Sequence, residues 1–229
     1  MQENVFSPTL LTATGAAPRA FLFDFDLTLA DGSAWIVACY REVLARHGFA
    51  VVDDETIRGT IGLTVEDSFA QMTGIDDAAL LHDLRVEYKA LCRPGMAAHT
   101  SLFPDAGRFL HAAAKAGVAL GVISTKETPT LRESLERCGV LGLFALVVGL
   151  NEVSAPKPSP EGILYALNRL GLTPADAIYF GDNPVDAQAA RAAGTAYVGV
   201  AKGVHSAAVL AAYPHRAVIG SYDELIVRP

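Results

Sequence analysis

The sequence predicts an α/β protein: a doubly wound parallel sheet with a helical cap module inserted after its first strand. Three observations predict it. Four apolar runs of strand length (20–23, 119–123, 144–149 and 177–180) each lead into polar or charged residues. The segments between the later runs have helical spacing and stop at glycine. One long interval, residues 33–100, reads as helical throughout. In a parallel sheet with right-handed crossovers every strand ends on the same edge, and ligands bind there.

Taken in order, residues 1–17 hold Leu10-Leu11 but also Glu3, prolines and threonines, with no basic start or long apolar core. They do not read as a signal peptide and are expected to be a flexible tail. After Pro18, the run Ala20 to Phe23 has the length of a buried parallel strand and leads into Asp24 and Asp26. Two acids are expensive in a core, so they belong where the strand emerges and turns, facing one substrate from two directions. By itself the pair reads equally well as loop acids capping the next helix.

Ile36, Tyr40, Val43 and Leu44 then repeat at helical spacing up to Gly48. Thr64 introduces a second helix, with Val65, Phe69 and Met72 on one face and Gly74 as its stop. Asp76 to Leu91 gives a third, carrying Leu80, Leu84 and Tyr88. An all-helical insertion leaving beside two acids suits a mobile lid. From Phe103 the pattern alternates. Helices over 104–115, 129–137, 160–170 and 184–193 end at Gly117, Gly139, Gly171 and Gly194, and short last strands fall at 198–200 and 217–219. The expected organisation is a tail at 1–17, a sheet domain from 18–32 and 101–229, and a cap at 33–100.

The chain has 229 residues, about half of them apolar, and a net charge of −7. That balance argues against nucleic acid or an anionic membrane as partner, since both favour clustered Lys and Arg. Cys39, Cys92 and Cys138 are odd in number and far apart, with no Cys-x-x-Cys. They read as small buried hydrophobes in a reducing cytoplasm rather than a disulfide framework or zinc site. No segment is long and apolar enough to span a bilayer.

The strand ends carry the chemistry. Asp24-Phe25-Asp26-Leu27-Thr28 follows the first run and Ser124-Thr125-Lys126 the second. Lys157 stands between prolines after the third, and Gly181-Asp182-Asn183-Pro184-Val185-Asp186 follows the fourth. In that order these pieces resemble the four motifs of the haloacid dehalogenase-like hydrolase superfamily, over nearly the whole chain from Pro18. The resemblance is nearest to phosphoglycolate phosphatase-like members with a helical cap. Thr60 to Phe69 resembles their cap segment, and Phe103-Pro104-Asp105-Ala106 their Tyr-Pro-Gly-Val helix entry. Two departures are Leu27, where a glycine is usual, and Asn183, where a serine is common.

The resemblance implies a Mg²⁺-dependent phosphomonoester hydrolase with a Rossmann-like core, acting on a small phosphate ester, phosphoglycolate being the first expectation. Asp24 would be the nucleophile, forming an aspartyl-phosphate, with Asp26 as acid and then base. Asp24, the backbone carbonyl of Asp26, and Asp182 would hold the metal. Ser124, the Thr125 amide and Lys157 would bind the phosphoryl group. Asp186 and Thr28 would act behind these residues, Asp186 orienting water or Lys157 and Thr28 bonding within the motif turn. Asp186 reads nearly as well as an acid favoured by a helix N-terminus, and Lys157 alone as a surface lysine. Among the cap cations Arg58, Arg85, Lys89 and Arg93, none is singled out for specificity.

Rival readings are a sugar phosphomutase, an inorganic pyrophosphatase, a dehalogenase and a non-catalytic scaffold. Asp26 speaks against the dehalogenase, which does not need the second acid. The mutase would want a Ser-Arg pair where Thr64-Val65 stands and a histidine near Ser33-Ala34-Trp35. The expected assembly is a monomer or homodimer, with no nucleic-acid or membrane partner.

Overall fold

The computed structural model describes residues 5–11 and 15–227. Its sheet has six parallel strands: β1 (Ala20–Phe23), β4 (Ala119–Ile123), β5 (Leu146–Val148), β6 (Ala177–Gly181), β7 (Ala196–Val200) and β8 (Ala217–Ile219). They lie in the order β5-β4-β1-β6-β7-β8. Phe23 stands level with Val122 on one side and Phe180 on the other, and β6 runs one residue further, to Gly181. The chain runs outward from β1 through β4 to β5, then returns to the far side of β1 at β6. The β1/β6 boundary is therefore the switch point at which such sheets bind ligands.

Alternation along β1 builds both faces. Phe21 and Phe23 join one buried layer with Phe109, Phe180 and Val198, against helix α5 (Pro104–Lys115). Phe23 stacks on Phe180 with ring centroids 4.8 Å apart. Ala20 and Leu22 face the opposite layer, covered by α7 (Glu161–Leu170) and α8 (Pro184–Ala193). Full burial on both faces explains why β1 reads as an unbroken apolar run.

Between β1 and β4 the chain leaves through β2 (Ala30–Asp31) and returns through β3 (Ser101–Leu102), which pair antiparallel. The four helices carried on this ribbon are α1 (Ser33–Arg46), α2 (Asp54–Gly59), α3 (Val65–Thr73) and α4 (Ala78–Met96). They share their own apolar cluster, with Tyr40 stacked on Tyr88 at 4.2 Å. Thr64 and Asp77 cap α3 and α4 with their side chains. The remaining helices are α6 (Thr128–Arg137) and α9 (Ala207–Ala211).

Two expectations change. Residues 5–11 do not hang free of the core. Phe6 and Leu10 are buried, and Phe6 bridges to Ile226 and meets Phe21 edge-on. Isolated apolar residues give no periodic signal, which is why the segment reads as loose; residues 1–4 and 12–14 lie outside the described residues. Helix α4 runs on to Met96 through Pro94 and Gly95, and Gly95 packs directly under Trp35, where a Cβ has no room. Among the described residues no helix is long and apolar enough to cross a membrane.

Candidate active site

Asp24 stands at the end of β1, where its amide donates to the Phe180 carbonyl of β6 at 2.8 Å. The chain then turns sharply: Leu27 N–H bonds the Ala30 carbonyl at 2.7 Å, and Leu27 takes a left-handed φ of 59°. That conformation explains why glycine is usual here, since an L-residue in it costs roughly 1–2 kcal/mol. Leu27 is 2% exposed and packs into the apolar cluster of the cap helices. Burying a leucine is worth about 1.5–3 kcal/mol, enough to offset the strain.

Carboxylate oxygens of Asp24, Asp182 and Asp186, all buried, come within 4.8 Å of one another. Lys157 Nζ donates to Asp24 Oδ1 and to Asp186 Oδ1, each at 2.6 Å. Asp186 also accepts from the Tyr179 hydroxyl and the Asn183 amide, both at 3.1 Å, so protein donors occupy both its oxygens. The Thr28 hydroxyl donates to Asp182 Oδ1 at 2.8 Å. Its partner is therefore on a different strand end, 154 residues away in sequence, and not within its own turn as expected.

Burial dominates the electrostatics. It pushes the Asp24 carboxyl up to about 7 despite the attraction of Lys157. It likewise raises Asp182 well above the usual carboxylate range, helped by the charges of Asp24 and Asp186. Burial works against the Lys157 ammonium, but Asp186 and Asp24 hold it well above an ordinary lysine. Three acids sharing one cation leave an excess of negative charge in a closed space.

A divalent cation with hard oxygen ligands fits this donor set. Asp24 and Asp182 are the carboxylates with capacity to spare, Asp186 being engaged by Lys157, Tyr179 and Asn183. The space beside Asp182 Oδ2 is kept by Gly203, where a Cβ would sit only 2.1 Å from that oxygen. The Asp26 side chain stands apart from the cluster and pairs with the Lys126 ammonium.

A pH prediction follows from these shifts. Raised carboxyls mean that the metal-free native state binds more protons than the unfolded chain once pH exceeds the ordinary Asp value of 3.8. Their contribution to stability therefore falls as pH rises from about 4 to 7. Metal-free Asp182→Asn should gain stability relative to wild type between pH 5 and 8. Mg²⁺ should raise the wild-type Tm more at pH 8 than at pH 5, because binding must displace those protons. Thermal melts with EDTA or Mg²⁺ test both; a Mg²⁺ shift independent of pH would refute the charge account.

Ser124 is buried at the end of β4, its amide on the Val148 carbonyl at 3.0 Å and its hydroxyl accepting from the Lys126 amide at 3.2 Å. Ser124, Thr125 and Lys157 line a small cleft together. Above Asp26, a cavity of about 110 Å³ separates the Thr125–Lys126 turn from α1 and α4, with Tyr40, Tyr88, Arg93 and Met96 on its cap side. Of Arg58, Arg85, Lys89 and Arg93, the two that line this cavity are Lys89 and Arg93. Lys89 is held by Glu127 at 2.7 Å, Arg85 by Glu66 at 2.7 Å, and Arg58 bonds Ser33 Oγ at 2.6 Å. The Asn183 side chain donates its Nδ2 hydrogen to the Ile61 carbonyl at 3.0 Å and so joins the acid loop to the α2–α3 connection.

The structure brings Asp24, Asp182, Asp186, Lys157 and Thr28 together and sets Ser124 and Thr125 in a cleft with Lys157. The Asp26 side chain instead pairs with Lys126, and neither Arg58 nor Arg85 lines the cavity. Two further residues belong to the site: Lys126, whose position directly after the hydroxyl pair is a local sequence signal, and Gly203. Gly203 could not be found locally, because its requirement is space rather than backbone conformation.

A family model described as "Haloacid dehalogenase-like hydrolase" matches residues 21–200. The pyrophosphatase PpaX of Bacillus velezensis is 32% identical over 207 residues, covering 90% of this chain and 94% of its own. A phosphoglycolate phosphatase of Salmonella paratyphi A is 28% identical, covering 91% of each chain. Among solved structures, a haloacid dehalogenase-like hydrolase described from Bacteroides fragilis superposes with a TM-score of 0.87 at 41% identity, covering 89% of this chain and 97% of that one.

Proposed function

Because the chain belongs to the haloacid dehalogenase-like hydrolase family, we propose that it hydrolyses a small phosphomonoester, phosphoglycolate first, with Mg²⁺ bound. The observation that carries this reading is Asp24: a buried carboxylate at the switch point, aligned by Lys157 at 2.6 Å and set among two further acids. In the first step an Asp24 oxygen attacks phosphorus and the bond to the leaving oxygen breaks, while Asp26 gives that oxygen a proton. In the second step water attacks the phosphorus of the aspartyl-phosphate, Asp26 takes the proton, and phosphate leaves. Ser124, the Thr125 amide and Lys157 hold the phosphoryl oxygens through both steps. Asp24, the Asp26 carbonyl and Asp182 would hold the metal, which supplies charge neutralisation of the phosphoryl group. Asp186 keeps Lys157 aimed at Asp24, and Thr28 fixes Asp182. The α1–α4 module serves as lid over the leaving group, in a cytoplasmic enzyme that is a monomer or homodimer.

A second reading, inorganic pyrophosphate, is favoured by the likeness to PpaX. The test is phosphate release with Mg²⁺ across phosphoglycolate, pyrophosphate, hexose and pentose phosphates, and nucleoside monophosphates. Phosphoglycolate should lead the panel, and addition of EDTA should abolish its turnover. A hexose phosphate leading by tenfold would overturn the substrate, and silence on every ester would overturn the reaction.

A further inference from the structure

The Asp26–Lys126 pair is the one feature at the site that the proposed phosphoryl-transfer steps leave unexplained. Both side chains are nearly enclosed, 8% and 11% exposed. Lys126 covers Asp26 Oδ2, while Oδ1 is buried with no hydrogen-bond partner among the described residues. Asp26, which lines the cavity beneath the cap, therefore has one oxygen tied to a cation and one without a donor. A buried carboxylate oxygen without a donor is costly, and a ligand that supplies one there is favoured.

Position fixes what else the ligand meets. An oxygen that takes a proton from Asp26 must come within about 2.6–3.2 Å of that carboxyl. Atoms one or two bonds beyond it then lie within reach of the Lys126 ammonium, which sits at hydrogen-bond distance from the same carboxyl. Besides Lys126, the cavity offers a leaving group two further cations, Lys89 and Arg93, on its cap side. The uncharged part of its cap wall includes Ile36, Tyr40, Val65, Tyr88 and Met96. Lys89 is already engaged by Glu127 and Arg93 is exposed, so Lys126 is the nearly enclosed cation in contact with the Asp26 carboxyl. A lysine on a flexible stem can exchange one carboxylate for another with little rearrangement.

We infer that Lys126 is the specificity-determining residue of this site: its ammonium exchanges Asp26 for an anionic group carried one or two atoms from the ester oxygen. The inference rests on the phosphomonoester reading above and deepens it. The preferred substrates are short phosphate esters with a second negative charge beside the scissile bond. Neutral alcohol phosphates of the same size fit the cavity but leave the ammonium on Asp26.

The test compares phosphoglycolate with 2-hydroxyethyl phosphate, which replaces the carboxylate by a neutral hydroxymethyl group, and includes p-nitrophenyl phosphate as a general ester. Wild type should prefer phosphoglycolate by roughly 10- to 100-fold in kcat/KM, the scale of one charge-assisted hydrogen bond. Lys126→Met should lose most of that preference, chiefly through a higher KM for phosphoglycolate, and lose less on the neutral ester. Lys126→Arg should retain it, and it keeps the proposal testable should the methionine variant fold poorly. Equal losses on both esters in Lys126→Met would show that the lysine merely neutralises Asp26, and would overturn the inference. Wild-type cleavage of all three esters without preference for the acid would overturn it while leaving the phosphatase reading intact. No cleavage of any ester would overturn both.

Discussion

Asp24→Asn is expected to abolish phosphate release, by at least about 10³-fold in kcat, while leaving the fold intact. An amide of the same shape keeps an oxygen for the Lys157 ammonium, so the hydrogen bond at 2.6 Å can persist. It cannot form the acyl phosphate. Stability should move the other way. Burial pushes the Asp24 carboxyl up to about 7, so above that pH the native state carries a charge that its surroundings disfavour. Replacing that charge by a neutral amide should leave the metal-free Tm at pH 8 unchanged or raised. Phosphate release and a melting curve on one preparation check both. Retained turnover in a variant shown by mass spectrometry to be free of deamidation would sink the nucleophile assignment. A collapsed Tm with lost activity would assign Asp24 a structural role instead.

Lys157→Met should have the largest effect on stability. The ammonium is buried between Asp24 and Asp186, and removing one partner of a buried charge group typically costs about 3–5 kcal/mol. For a chain of this length that is a fall in Tm of roughly 6–20 °C. The sign of the pH dependence identifies the cause. At pH 8 the three acids face one another without a cation, whereas near pH 5 the raised carboxyls of Asp24 and Asp182 hold protons. The deficit should therefore shrink on acidification, and Mg²⁺ should restore part of it at pH 8. Melts at pH 5 and 8, with and without Mg²⁺, check this; a deficit that is the same at both pH values would mean lost packing rather than lost charge. Turnover should fall at all pH values, since the phosphoryl group loses its fixed cation.

The two variants bracket what was legible beforehand. The sheet was legible because β1 and β6 are buried on both faces and so appear as unbroken apolar runs. Asp24, Ser124 and Asp182 stand where those runs end, which is a local signal. Helix α2 leaves no periodic trace in the sequence, because of its six residues only Ile57 is buried. Expected strand limits also shifted: β7 starts at Ala196 rather than Val198, and β5 is confined to Leu146–Val148. Strand limits follow from hydrogen bonding to neighbours, which the apolar run does not encode.

Contiguous residues carry the class of fold, the strand ends with their acids and hydroxyls, Lys157 between its prolines, and helices α1, α3 and α4 of the 33–100 interval. In each, period or polarity changes within a few positions. Tertiary structure alone decided the pairings: Thr28 with Asp182, Lys126 with Asp26, Asn183 with Ile61, Gly203 against Asp182, and Phe6 beneath Phe21. These partners lie far apart along the chain, and residue type alone leaves each of them many alternatives. Burial removes the alternatives, because a polar group withdrawn from water must take whatever partner the packing brings to it.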